Sequence, residues 1–311
     1  MYLRYLNDAT ATCTERRSEA REYSGALYDS NGRLVEESIR NSEAAAWKQV
    51  CEKELSLNSS QAVYKHGKYL YLGHLHIEFG HFLIETVSSL KFSSWFKEVC
   101  LVFHPFTFDG VSLELEDYEY ITSIFRILDI SIDKVYLVEV NTVFEEVVVP
   151  ERLVKINQYY DASALSVYRE ISRRASKYVT VGENSEKIFL SRSQLKRKRR
   201  AFAYEDELDN FFELKGYTVY YPEQHDIVHQ INTVSSASVV AGMEGSAMHL
   251  SLFMRSGARV FTIHNRINPN ITMCNHLAQI DEKSLLISDE NINNSKAVES
   301  QLDNYMMKNS L

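Results

Sequence analysis

Two hydrophobic patterns alternate along the chain. Short continuous apolar runs stand at 68–72, 99–103, 135–140, 143–149, 187–190, 238–241 and 260–263. Between many of them lie longer stretches whose apolar positions return every three or four residues, at 82–96, 118–128, 205–214, 227–234 and 271–280. The first pattern reads as buried strands and the second as amphipathic helices. Strands and helices alternating on this spacing predict an α/β protein built on parallel, doubly wound sheets.

The opening 40 residues read as strands and turns. Asp29-Ser30-Asn31-Gly32 is a hairpin signal, because Asn-Gly suits a turn with positive φ. A helix is predicted over 42–55, where Ser42 can cap and Ala44, Ala45 and Ala46 favour helix. A long polar helix over 161–178 reads as an inter-domain connector. Strands at 217–220 and 284–287 and a helix at 246–254 complete the second series. The segment 294–308 is an amphipathic helix, expected to pack back on the N-terminal domain. At 311 residues the chain accommodates two domains, placed at 1–160 and 161–311.

Composition narrows the function. There are 34 Lys and Arg against 42 Asp and Glu, a net charge of −8, which argues against a general nucleic-acid binder. Cys13, Cys51, Cys100 and Cys274 lack CxxC spacing, so neither a disulfide framework nor a zinc site is expected. No signal peptide is visible, and no apolar run approaches the ~20 residues of a membrane span. The expectation is a cytoplasmic protein, compatible with peripheral association at the inner face of a membrane and with homo-oligomerisation.

Three constellations could carry chemistry. His81 and Glu85 lie four apart on a predicted helix and share a face. An imidazole beside a carboxylate makes a general-base pair, and the spacing leaves open which of the two takes the proton. The bland reading is a locally bonded histidine and a solvated glutamate. The second constellation is basic: Arg192, then Lys196-Arg197-Lys198-Arg199-Arg200 after a strand end. Such cations form a solvated loop, a nucleic-acid patch or a clamp on a diphosphate. The third is the strand–turn–helix at Gly242-Met243-Glu244-Gly245-Ser246-Ala247-Met248-His249. Backbone N–H groups at such a turn form an anion site in open α/β sheets.

A metal reading also arises. His74-x-His76-x-Glu78-x-x-His81 is similar to the HxHxDH pattern of metal hydrolases, but Glu78 replaces the acidic Asp and Phe79 stands where the adjacent His belongs. No bound metal or cofactor is expected.

The motifs form an ordered series. Gly80-His81-Phe82-Leu83-Ile84-Glu85 comes first, then Ile188-Phe189-Leu190-Ser191-Arg192, and then Arg199-Arg200 followed by Glu205. Gly216-Tyr217 with Tyr221-Pro222-Glu223, His229-Gln230-Ile231, and the Gly242–His249 turn complete it. This series resembles glycosyltransferase family 61, particularly its bacterial capsular-polysaccharide branch. The resemblance covers about 65–265. It implies a GT-B fold, with two Rossmann-like domains facing a cleft. It also implies an inverting, metal-independent transfer from a nucleotide sugar to a hydroxyl of a glycan or lipid-linked glycan, as in capsule or other surface polysaccharide synthesis. In the resemblance, His81 or Glu85 is the base. Arg192 with Arg199 or Arg200 holds the diphosphate, and Glu244, Gly245, Ser246 and His249 bind the donor. Many family members carry His where this chain has Glu244. Two other readings stay open: a metal-dependent hydrolase using His74, His76 and His81, and a non-catalytic glycan-binding protein of the same fold.

Overall fold

The computed structural model describes residues 2–17, 19–40, 47–55, 62–106, 113–178, 185–195, 205–264, 269–287 and 294–311. The chain divides into two compact units, Met1–Val167 and Tyr168–Leu311. Both are mixtures of strands and helices.

The N-terminal unit contains β1 (Leu3–Ala11), β2 (Arg16–Arg17), β3 (Glu22–Tyr23), β4 (Leu27–Tyr28), β5 (Lys48–Gln49) and β6 (Val63–His76). After these come β7 (Cys100–Phe106), β8 (Val135–Leu137), β9 (Thr142–Pro150), β10 (Val154–Lys155) and β11 (Tyr159–Tyr160). Its main sheet has the order β4-β1-β9-β6-β7-β8. Only β9, β6, β7 and β8 are mutually parallel; β1 runs antiparallel to both β9 and β4. The expectation of a wholly parallel sheet is therefore corrected here. Parallel neighbours need a crossover of about a dozen residues or more, usually helical. Among the described residues no helix of that kind joins β1 to β4, and they meet antiparallel.

The helix expected over 42–55 is also corrected for its described part. Residues 41–46 lie outside the described residues, and within 47–55 Lys48–Gln49 is a strand, paired in parallel with Glu22–Tyr23. Tertiary pairing overrides local helix propensity here. The predicted turn after Tyr28 forms as expected. Asp29 Oδ1 accepts from the backbone N–H of Asn31 and Arg33, both at 2.9 Å, and Gly32 has φ +76°.

The core of this sheet gathers Tyr71, Val102, Phe144, Val147 and Val149. The helix Glu119–Ile127 buries Ile121, Ile124 and Phe125. The helical segment 79–95 is not a uniform α-helix. It runs from an α-helical turn (Phe79–His81) into a π-helical stretch (Phe82–Thr86), then back through Val87–Ser89 to a 3₁₀ stretch (Leu90–Trp95).

The C-terminal unit is more regular. Its strands β12 (Lys187–Leu190), β13 (Thr218–Tyr220), β14 (Val239–Met243), β15 (Arg259–His264) and β16 (Asp281–Leu286) are all parallel, in the order β13-β12-β14-β15-β16. Every residue of β14 is buried, as a central parallel strand covered on both faces requires. Asp226 caps the helix Ile227–Ser236 by accepting from His229 N–H, and Asn294 caps Ser295–Asn309 through Ala297 N–H.

The terminal helix Ser295–Asn309 corrects a third expectation. Its apolar stripe of Val298, Leu302 and Met306 packs in the core of its own unit, with Phe189, Phe212 and Phe261. Tyr305 stacks on Phe261, and Arg259 Nη1 donates to Ser310 O at 2.7 Å. The aromatic face of the second sheet supplies the apolar surface that this stripe matches. Among the described residues, no helix is long and apolar enough to cross a membrane.

Gly242 lies inside β14, where a Cβ would stand 2.7 Å from Met248 Sδ and 3.2 Å from Leu190 O. Gly242→Ala therefore overpacks the centre of the second sheet. Urea denaturation should show a loss of about 1–3 kcal/mol.

Candidate functional site

The N-terminal cluster begins at a bulge in β6. Tyr71 pairs with Val102 and His74 with His104, so Leu72 and Gly73 stand where β7 has only Phe103. Gly73 takes φ +88°, which favours glycine, and a Cβ there would lie 2.9 Å from Arg152 Nη2. A bulge of this kind re-aims the side chains that follow it. Beyond it, His74 and His76 are both buried at the carboxyl end of β6.

The chain then enters the helical segment 79–95. His81 closes its first turn, and Glu85 sits in the π-helical stretch, a distortion often found at functional sites. His81 Nδ1 and Glu85 Oε1 are 2.8 Å apart. Arg40, which no motif singles out, grips the same carboxylate from the other side. Its Nε donates to Oε2 and its Nη2 to Oε1, each at 2.7 Å. Arg40 Nη2 is also 3.4 Å from His81 Nδ1.

The irregular N-terminal stretch fixes this arginine. Arg40 N–H donates to Gln49 Oε1 of β5 at 2.6 Å, and Gln49 Nε2 donates to Gly25 O at 2.7 Å. The Arg40 guanidinium lies 5.4 Å from the centre of the Phe106 ring, which also packs against His76 and Tyr23.

Electrostatics distinguish the two members of the predicted pair. Burial pushes the Glu85 carboxyl up, but the Arg40 charge, then His76, and the bonds from Arg40 and His81 hold it well below the ordinary carboxylate range. Glu85 is thus a buried anion that only accepts hydrogen bonds. His81 Nδ1 must then carry the proton it shares with Glu85, so in the neutral imidazole Nε2 is the acceptor. The His81 side chain is 34% exposed against 4% for Glu85, so the imidazole is the member of the pair that a substrate can reach.

Behind this pair lie three buried histidines. Burial lowers His76 to about 4, with Glu85 opposing the shift, and lowers His104 to about 4. His74 is held well below its usual value by burial and by Arg152. Arg152 Nη2 donates to His74 Nδ1 at 3.0 Å, so His74 Nε2 carries the hydrogen and finds no hydrogen-bond partner among the described residues. His104 Nε2 donates to Thr12 O at 2.8 Å, while Tyr71 Oη donates to its Nδ1 at 2.7 Å. His76 has Glu78 and Glu85 oxygens at 3.8 and 3.7 Å.

The donor set does not fit a metal ion. His74 accepts from Arg152 at Nδ1 and so carries its hydrogen on Nε2, two guanidinium groups stand beside these histidines, and among the described residues no group of three His, Cys, Asp or Glu could hold one. The metal-hydrolase reading of His74, His76 and His81 therefore finds no ligand set among the described residues.

In the C-terminal unit, the strand order reverses between β12 and β14. That is the topological switch point, where ligands bind open α/β sheets. Arg192 follows β12, and its Nη1 donates to Glu244 O at the end of β14, 2.9 Å away. Gly245 lies under this bridge: a Cβ there would stand 3.2 Å from Arg192 Nη1. The close approach at Gly245 is thus to Arg192, and at Gly242 to the sheet's own interior.

Gly245, not Ser246, holds the cap position of the following 3₁₀ helix (Ser246–Phe253), with no side-chain capping bond. Ser246 is exposed. His249 is buried, and its Nδ1 donates to Ser246 O at 3.1 Å. Glu244 is 4% exposed and acts on His264, opposing the fall that burial causes in that imidazole. The structure thus brings Arg192, Glu244, Gly245 and Ser246 together, with His249 one turn on. Arg199 and Arg200 lie outside the described residues.

Beside Arg40, two features of the second unit escaped the sequence reading. Asp209, from the helix Glu205–Leu214, accepts from Ser193 Oγ at 2.7 Å and Tyr221 Oη at 3.1 Å, tying down the loop after β12. At the end of β13, Tyr220, His225 and His229 stack with nearly parallel rings, and Tyr220 Oη and His229 Nδ1 are 2.9 Å apart. The apolar run before Tyr220 and the His229-Gln230-Ile231 motif marked this position but not the stacking. Gln230 is structural: its Nε2 donates to Pro222 O and His225 O.

The buried histidines make stability depend on pH. His74, His76 and His104 stay neutral in the fold to well below the ~6.5 at which a free imidazole titrates. Below that value the unfolded chain takes up protons that the folded chain refuses, so stability falls with pH. The slope approaches about 1.4 kcal/mol per pH unit for each histidine. It levels for His76 and His104 near pH 4, where their folded forms titrate. Glu85 adds its own loss only at lower pH, because its folded form stays ionised. Urea denaturation at pH 7, 6 and 5 should show this decline, and equal midpoints would contradict it.

Comparison with curated proteins gave no match. A family model described as glycosyltransferase 61 matches residues 79–261, more than half of the chain. That segment begins just before His81 and Glu85 and ends beyond the Arg192–Glu244 bridge; the chain belongs to the glycosyltransferase 61 family and is a glycosyltransferase.

Proposed function

We propose that this glycosyltransferase is an inverting, metal-independent enzyme of GT-B type, with His81 as the base. In this reading the N-terminal unit presents the acceptor and the C-terminal unit holds a nucleotide-sugar donor. The observation that carries it is the partly exposed imidazole of His81, held by its Nδ1 2.8 Å from the buried Glu85 carboxylate. The acceptor oxygen attacks the anomeric carbon, and its proton passes to His81 Nε2. The bond from that carbon to the diphosphate oxygen breaks with inversion. Glu85 stabilises the imidazolium that forms and keeps its ring in place.

The leaving nucleoside diphosphate carries developing negative charge. In this reading Arg192, bonded to Glu244 O at the switch point, and the N–H groups at Gly245 and Ser246 receive it, a role supported by the helix start there. Arg199 or Arg200 is proposed as a second cation, Glu244 as a donor-selecting residue, and His249 as the support of the turn. The acceptor is a glycan or lipid-linked glycan, and the pathway class is capsule or other surface polysaccharide synthesis. That role suits an enzyme at the cytoplasmic face of a membrane.

His81→Ala should lower kcat by about 10²–10⁴-fold with little change in donor KM, the loss typical of a missing general base. Arg192→Ala should instead raise donor KM by about 10–100-fold, the worth of a hydrogen bond to a charged group. Transfer assays over a nucleotide-sugar panel measure both. Wild-type turnover in both variants would end this assignment. Independently, nucleoside diphosphates should raise the melting temperature of the wild-type protein, because they bind the folded state alone.

A further inference from the structure

The role of Arg40 is assigned by no motif, and it precedes the segment that matches the family. It lies 45 positions before Glu85, yet bonds both carboxylate oxygens. Its side chain is 6% exposed, and that of Glu85 is 4%. The same Nη2 that donates to Glu85 Oε1 reaches within 3.4 Å of His81 Nδ1.

An imidazole beside a bare buried carboxylate holds a proton tightly, because the anion stabilises imidazolium. The stronger that pull, the higher the pH up to which such a histidine stays protonated and is lost as a base. The Arg40 guanidinium, bonded to both carboxylate oxygens and 3.4 Å from His81 Nδ1, weakens that attraction. The paired guanidinium also occupies both oxygens of Glu85, so the carboxylate cannot itself take the acceptor proton. The other charged and titratable groups around His81 change this balance little. His76, with its ring centre 5.5 Å away, stays neutral. Glu78 faces His76, and Arg152 lies beyond, bonded to His74.

We propose that Arg40 is a positioning residue that sets the proton balance of the site. By offsetting part of the Glu85 charge it loosens the hold of the site on the His81 proton, and by occupying both carboxylate oxygens it confines the transferred proton to His81. This rests on the reading of His81 as the base.

The test follows the His81 imidazole directly by NMR titration of the full chain, beside the pH profile of kcat/KM. In Arg40→Gln, both the His81 midpoint and the acidic limb of the profile should move up by about one pH unit. Arg40→Lys, which keeps the charge but not the fork, should leave both near the wild-type position while lowering kcat. Arg40→Gln with Glu85→Gln removes both charges and should return the midpoint to within half a unit of wild type. Circular dichroism monitors folding. If Arg40→Gln does not fold, the lysine variant and the double variant decide: a His81 midpoint displaced in either overturns the proposal. An unmoved midpoint in folded Arg40→Gln, with activity reduced evenly at all pH, also overturns it and leaves Arg40 a structural ion pair. The NMR arm reads Arg40 whether or not His81 is the base. A His81→Ala variant with normal turnover defeats the base reading alone.

Discussion

A guanidinium and a carboxylate, bonded to each other by two short hydrogen bonds and sealed from water, anchor the N-terminal unit. Taking such charges out of water is expensive, and breaking one partner away leaves the other buried alone, at a cost of roughly 3–5 kcal/mol. The Arg40–Glu85 pair therefore constrains everything that touches it. The small sheet β2-β3-β5 delivers Gln49 to the Arg40 backbone, and the Phe106 ring shields the guanidinium. The π-helical stretch carries Glu85 toward it, and His81 inherits its tautomer from the result. The most irregular backbone in this unit surrounds its most polar interior.

The C-terminal unit meets a similar demand by different means. Its sheet is uniformly parallel and apolar, and its candidate ligand groups lie where the strand order turns. A single arginine spans that point from the end of β12 to the main chain after β14. The first unit shows a related device. Its order reverses between β6 and β9, and Arg152, just past β9, bonds His74 at the end of β6. At both places the adjacent glycine, Gly245 or Gly73, leaves room for the guanidinium that crosses it.

Legibility followed the range of the interactions. In the second unit, apolar runs bounded by turns located every strand, and the helix Glu205–Leu214 was read to its ends. In the first unit the same rules erred where partners were distant. Lys48–Gln49 became a strand because Glu22–Tyr23 offered a ladder to pair with. Strand β6 extends to His76, past its apolar run, because β7 continues beside it. The terminal helix was recognised as amphipathic, but its stripe could not say which apolar face it would cover.

The sequence by itself determined what lies within a few residues along the chain. It set the alternation of strand and helix, the turn at Asp29–Gly32, the shared face of His81 and Glu85, and the order of the motifs. Each rests on backbone geometry of fixed period, so spacing alone carries it. Only the tertiary structure decided that Arg40 meets Glu85, that Gly73 and Arg152 aim His74, and that Gly245 lies under Arg192. Those contacts join residues with no common period, and they hold because buried charge and buried polar groups must find partners wherever the fold brings them.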